Sequence, residues 1–310
     1  MYDFHTHFIP EEVMLWVKEN KDKINAKWIH KDSSHHEFLE INGKWGFALK
    51  DTFINFSLYT KEMNQVGVNH SVISPIPQLF MYDFDPFITA EMSKIYNKSL
   101  TDLVAIHSNI SALATVPLNA PELAANLLSE AMNDNLKGAI IGPGLPGKML
   151  SDDYFIPFFE EANRLHAIIF IHPLLAEDSR LKRRRMPNLI GVPWETTICA
   201  TDLLLSGFID KYPHIKILLA HGGGFLPYQL GRLDKGFEEW NAVSKDLQAL
   251  PSEYAKSFWY DTVLWNEQAI EFLVKTIGEE QVVPGSDFPF DLSALPPVDN
   301  NKGSQRLLYK

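Results

Sequence analysis

The sequence predicts an α/β protein, a closed (β/α)8 TIM barrel with an insertion between the first strand and the first helix. Three observations carry this. Short apolar runs alternate with segments of helical periodicity along most of the chain. Eight such runs can be counted within 310 residues, a length that suits one large barrel domain. Several of the runs end in a histidine or an aspartate, and the C-terminal ends of parallel barrel strands are where polar chemistry collects.

Tyr2 to His5 alternates in polarity and reads as the first strand. Residues two apart on extended backbone share a face, so His5 and His7 can present two imidazoles to one point. From Pro10 to about Lys61 no strand-helix rhythm holds, and the segment is expected to be an insertion, a lid or small subdomain. His70 to Ser74 then reads as a buried strand, Pro86 to His107 as a helix, and Ser111 to Val116 as a strand. Pro121 and Glu122 open a helix to about Asn135. Gly138 to Gly142 is a strand, Asp153 to Leu165 a helix, and Ala167 to Ile171 a strand that delivers His172. Thr196 to Phe208 is helical, Ile215 to Ala220 is a strand that delivers His221, and Phe258 to Thr262 is the seventh strand. A helix from Glu267 to Ile277 leads to Gln281–Pro284, which delivers Gly285-Ser286-Asp287. From about residue 291 to 310 the tail reads as irregular, with Leu295-Pro296-Pro297 at its start.

The chain carries 45% hydrophobic and 22% charged residues, a formal charge of −11 and a pI near 5.5. That balance argues against nucleic acid or an anionic membrane as a partner, since either favours a basic patch. The one basic run, Lys182-Arg183-Arg184-Arg185, is expected to be a solvated loop. A single cysteine, Cys199, excludes an internal disulfide framework and fits a reducing compartment. With no signal peptide before the first strand and no apolar run of membrane-spanning length, a cytoplasmic location is expected.

His5, His7, His172, His221 and Asp287 therefore all fall at expected strand ends. Three imidazoles and a carboxylate suit one divalent ion, Zn²⁺ first and Mn²⁺ second, with a water completing an open catalytic site. The metal would lower the pKa of that water, and an unligated histidine beside it could shuttle the proton.

Five motifs span nearly the whole chain: Asp3-Phe4-His5-Thr6-His7, Ile171-His172-Pro173, Pro193-Trp194-Glu195-Thr196-Thr197, Ala220-His221-Gly222-Gly223-Gly224 running to Gly231-Arg232, and Gly285-Ser286-Asp287-Phe288-Pro289. In this order they resemble the amidohydrolase superfamily, within it the branch of 2-amino-3-carboxymuconate-6-semialdehyde decarboxylase and related decarboxylases. The resemblance implies that His5, His7, His172 and Asp287 hold the metal. It implies that His221 is the general base and acid, acting with Asp287. It also implies that Arg232 binds a substrate carboxylate, often across a homodimer interface; a surface helix arginine is the plainer alternative. The family's second substrate arginine falls on Lys50 here, which keeps the charge and loses the bidentate fork. Trp194, Phe288 and Trp45 are aromatic and near the motifs, which favours a planar substrate. The triple glycine lacks the lysine-serine ending of a phosphate loop and is expected to let backbone pass close to the metal pocket. Relatives continue with helix after the eighth strand, so either the last helix is absent here or a neighbouring subunit covers that face.

The expected function is non-oxidative decarboxylation of a small carboxylated aromatic or unsaturated acid, using the metal-bound water and His221. Hydrolysis of an amide, ester or lactone, or hydration, could use the same site. An inactive metal-binding barrel is a third reading, weakened by the presence of His221.

Overall fold

The computed structural model describes residues 1–30 and 35–309. The side chain of Trp45, grouped above with the aromatics that favour a planar substrate, lies outside the described residues. Eight parallel strands occur in chain order: β1 (Tyr2–His7), β2 (His70–Ser74), β3 (Ile110–Ala112), β4 (Gly138–Ile141), β5 (Ile168–Ile171), β6 (Lys216–Leu219), β7 (Trp259–Asp261) and β8 (Val282–Val283). β1, β2 and β3 pair in sequence, as do β4 to β8. Two bridges join these arcs into a ring. Ala114 pairs with Ala139, and Thr6 pairs with Phe288, with Phe4 N–H donating to the Pro284 carbonyl at 2.8 Å and His7 N–H to the Phe288 carbonyl at 2.8 Å. A parallel eight-stranded ring leaves no open edge, and its polar face is the C-terminal one.

The strands are short and apolar on both sides because both sides are covered. Val72, Leu113, Ile140, Phe170 and Leu218 fill the barrel, while Ile73, Ala139, Ile169 and Ile217 face the helices. The connecting helices are α1 (Phe56–Gln65), α2 (Pro86–Ile106), α3 (Pro121–Asn133), α4 (Ile156–Arg164), α5 (Val192–Leu205), α6 (Leu226–Glu239) and α7 (Glu267–Ile277). Their starts follow from local chemistry. Proline opens α2 and α3, Asp85 accepts from Phe87 N–H at 2.9 Å, and Asn266 accepts from Ala269 N–H at 3.1 Å. In α7 the helical spacing buries Ile270, Leu273 and Ile277.

The insertion has its own structure. A helix (Glu11–Glu19) precedes a three-stranded antiparallel sheet of Lys27–Ile29, Phe38–Ile41 and Lys44–Ala48, then a short helix (Asp51–Ile54), so the return helix α1 begins inside the expected span. The insertion touches the loops at the C-terminal ends of three strands. Lys44 Nζ reaches Asp83 at 2.8 Å and Glu177 at 3.0 Å, after β2 and β5, and Phe53 packs on Phe290, after β8, with ring centroids 4.9 Å apart.

The tail corrects the sequence expectation of an irregular segment over 291–310. Residues Asn301–Tyr309 form a helix, α8. Asn300 starts it by accepting from Gly303 N–H at 3.3 Å, while its own amide donates to the carbonyls of Glu279 and Val282. Gly303 is required by contact, since a Cβ there would lie 2.0 Å from the Val282 carbonyl oxygen. Leu307 is fully buried in the barrel-filling cluster, Lys216 Nζ donates to its carbonyl at 3.0 Å, and the Arg306 guanidinium lies 5.9 Å from the Trp259 ring. Lys216 and Trp259 are the first residues of β6 and β7, so α8 plugs the N-terminal mouth of the barrel. Truncating Leu307→Ala should therefore destabilise the fold by about 2–5 kcal/mol, read as a lower urea midpoint, because the cavity would open inside the barrel.

The basic run Lys182–Arg185 is exposed, and among the described residues no helix is long and apolar enough to cross a membrane.

Candidate metal centre

Four residues from three strand ends, those of β1, β5 and β8, converge at the C-terminal mouth. One ligand atom from each of His5, His7, His172 and Asp287 lies within 4.8 Å of the others. The backbone of β1 is adapted for this. Its pairing with β2 shifts register between Asp3 and Thr6, so Phe4 and His5 both enter the barrel although they are adjacent. Strict alternation would forbid that; a bulge re-aims the side chain.

Each imidazole of the four-residue cluster is held by its far nitrogen. His5 Nδ1 is 2.6 Å from Asp261 Oδ2, His7 Nδ1 is 3.2 Å from the Pro75 carbonyl, and His172 Nδ1 is 2.9 Å from the Pro173 carbonyl. Carbonyls and a carboxylate only accept, so Nδ1 carries a proton in each ring and Nε2 is the atom turned to the cluster, with a free lone pair wherever the ring is neutral. The three Nε2 atoms and Asp287 Oδ1 are buried without a hydrogen-bond partner among the described residues. Buried orphans of this kind are costly unless something else satisfies them, and a nitrogen-rich set with one carboxylate fits a divalent ion.

His221 stands beside this set. Its Nε2 is 3.6 Å from Asp287 Oδ2, its ring lies 6.3 Å from and nearly parallel to Trp265, and its Nδ1 has no partner among the described residues. The turn that carries it is left-handed at His221 (φ 55°), Gly222, Gly223 and Gly224. Gly224 is needed for a close approach, because a Cβ would lie 2.2 Å from the Pro193 carbonyl oxygen. The glycines pack the turn against α5 and β7, and the Gly222 N–H donates at 3.0 Å to Asp261, the carboxylate that holds His5.

Asp261 is the residue sequence reasoning missed. Fully buried at the end of β7, it accepts from His5 and from the N–H groups of His221, Gly222 and Val263 at 3.0–3.1 Å. The available signal was its place at a strand end, as with His172. Asp3 was also passed over: it accepts from the backbone N–H groups of His5 and Ser286 and from the Ser286 hydroxyl, which ties β1 to the Asp287 loop.

Without an ion the cluster's charge settles on one ring. Burial opposes a charge on His5, yet the carboxylates of Asp287 and Asp261 outweigh it and raise His5 to about 10. Burial, with the His5 charge adding to it, lowers His7 and holds His172 well below the usual range. Burial works against ionised Asp287 too, but His5 and the other imidazoles hold it well below the carboxylate range. An incoming ion must displace the His5 Nε2 proton. Its apparent affinity should therefore keep rising with pH beyond 7, by up to about tenfold per unit, instead of levelling near 6.5. Chelator competition at pH 6.5, 7.5 and 8.5 measures this; a plateau above 7 would contradict it.

The expected substrate residues fare differently. Lys50 sits at the mouth, its Nζ donating to the Pro289 carbonyl at 2.9 Å and pairing with Asp291 at 2.9 Å. Arg232 is exposed on α6 and makes no hydrogen bond or ion pair among the described residues. Trp194 is half-buried beneath the Arg180 guanidinium, 5.5 Å away. Phe288 corrects the expectation: it points out of the barrel onto Tyr59, with ring centroids 5.6 Å apart, and Phe290 is the ring against His7, at 5.2 Å. Asp287, at φ 60°, turns the chain just before Phe288.

A closed eight-stranded α/β barrel with a three-histidine, one-aspartate centre at its C-terminal mouth defines a metal-site barrel enzyme fold. The chain belongs to the amidohydrolase family, matching it over residues 2–307. It is 30% identical over 308 residues to a 2-amino-3-carboxymuconate-6-semialdehyde decarboxylase of Dictyostelium discoideum, spanning 95% of this chain and 83% of that protein. Among solved structures, the 5-carboxyvanillate decarboxylase of Sphingomonas paucimobilis superposes with a TM-score of 0.84 at 19% identity, covering 99% of this chain and 98% of that one. A dihydroxybenzoic acid decarboxylase from a Polaromonas species, solved with manganese and 2-nitroresorcinol, gives a TM-score of 0.74 at 19% identity, covering 95% and 87%.

Proposed function

We propose that the protein is a metal-dependent, non-oxidative decarboxylase of a small carboxylated aromatic or unsaturated acid. The observation that carries this is an imidazole, His221, placed beside a complete ligand set and outside it. Hydroxybenzoate and carboxymuconate decarboxylases among the similar proteins agree with that reading. His5, His7, His172 and Asp287 would hold one divalent ion. Their nitrogen-rich set suits Zn²⁺, and the manganese in the Polaromonas structure makes Mn²⁺ its competitor. When bound, the ion supplies Lewis acidity and steadies negative charge.

The chain's own residues do the rest. His221 can take a proton at one ring nitrogen and return it to substrate; its unpartnered Nδ1 and exposed neighbour Trp265 leave it free to do so. In the reaction the carbon–carboxylate bond breaks, its electron pair stays on carbon, CO₂ leaves, and that carbon receives the proton. Phe290, Phe47 and Phe53 pack together beside His7 and make that side of the mouth apolar, which strengthens charge interactions within it. The Lys50 ammonium offers a point charge for a carboxylate. Arg232, exposed on the same helix as Tyr228, which is 79% exposed, would serve the pocket of a second copy in a homodimer.

The test is a panel of carboxylated aromatic and unsaturated acids given to protein loaded with Zn²⁺ or with Mn²⁺, with released CO₂ and product both measured. CO₂ in proportion to product supports the proposal. Ring opening or amine release without CO₂ would make the protein a hydrolase.

A further inference from the structure

Buried polar atoms without partners are rare in a folded protein, and here most of them gather at one end. Beyond the metal set and His221, and apart from Trp259 Nε1 at the start of β7, the described residues leave Ser74 Oγ, Thr115 Oγ1, Asn119 Oδ1 and both Nε2 and Oε1 of Gln78 enclosed and unsatisfied. All belong to the C-terminal ends of β2 and β3 or the loops that follow them. Gln78 is the extreme case, because its whole carboxamide lacks a partner. It lies in the single turn Pro77–Leu79 that leaves β2, three residues after the Pro75 carbonyl that holds His7 and two before Phe80, which caps the barrel-filling cluster.

We infer that the Gln78 carboxamide is a specificity-determining contact that binds a hydroxyl group of the substrate. This rests on the proposed site but not on the fate of the substrate there. A carboxamide presents donors at Nε2 and an acceptor at Oε1, and a hydroxyl satisfies both, accepting from one and donating to the other. A carboxylate only accepts and would leave Oε1 facing negative charge. The chain's cationic candidates, Lys50 and Arg232, are the groups suited to a carboxylate; Gln78 reads a neutral polar substituent. The cost of enclosing an unmade pair of hydrogen bonds in the free protein is then repaid on binding.

The test uses the metal-loaded protein and calorimetric binding of benzoate and of 2-, 3- and 4-hydroxybenzoate, with Gln78→Met as a variant of similar volume and no hydrogen-bonding amide. The parent should bind at least one hydroxybenzoate about tenfold or more tightly than benzoate. Gln78→Met should erase that preference, leave benzoate within about twofold, and raise Tm by roughly 1–3 °C through removal of the orphaned amide. A parent without any hydroxyl preference overturns the inference. So does a variant that keeps the preference while gaining stability, which would make Gln78 only a packing defect. Binding needs no turnover, so a preference that survives in a protein releasing no CO₂ sinks the decarboxylase reading and leaves this one standing.

Discussion

Replacing His221 by asparagine should lower turnover by about 10²–10⁴-fold while the protein keeps its full complement of metal. The ligand set is complete without His221: the four converging atoms belong to His5, His7, His172 and Asp287. Asparagine is a fair substitute for the backbone, because the residue sits at φ 55° and asparagine tolerates the left-handed region. It keeps the N–H that donates to Asp261 at 3.0 Å, so the turn is preserved, and it removes only the titratable ring. Metal stoichiometry by mass spectrometry and CO₂ release on the same preparations measure the two effects separately. Metal loss in step with activity would instead place His221 among the ligands.

The succession of barrel strands was legible because each is short, apolar and bounded by turn residues, and because parallel strands covered on both faces carry little else. The clustered residues His5, His7, His172 and Asp287 were legible for a related reason: histidine and aspartate stand out where such strands stop. The rest depends on partners far away in sequence. Asp261 also ends a strand, yet nothing local says that it serves His5, 256 residues distant. The α8 helix is polar for most of its length, and Leu307 is apolar for the benefit of a mouth built from strand starts throughout the chain. Phe288, expected at the substrate, packs outward on Tyr59 while Phe290 meets His7, after a left-handed turn at Asp287 just before them. For β1, residue spacing placed His5 and His7 on one face, and the bulge that also turns Phe4 inward could be seen only from its pairing with β2.

Asp261→Asn should weaken divalent metal binding by about 10–100-fold although Asp261 itself touches no ion. The carboxylate receives four donors, two on each oxygen, from His5 Nδ1, His221 N–H, Gly222 N–H and Val263 N–H. Burial disfavours its charge, but the His5 imidazole next to it outweighs burial and keeps it ionised. An asparagine can satisfy one pair through its carbonyl oxygen. The other pair then faces an NH₂ group, and if that pair includes His5 Nδ1 the ring must give up its proton there and become an acceptor. The proton moves to Nε2, the atom that faces Asp287 at 3.3 Å, and the lone pair needed for the metal is lost. Asp261→Ala would be a poorer test, since four buried donors would lose their acceptor at a cost of about 3–5 kcal/mol and the fold itself would suffer. With Asn the comparison is clean if Tm changes little: a dissociation constant for Zn²⁺ or Mn²⁺ within twofold of the parent would show that the tautomer of His5 is set by something other than Asp261.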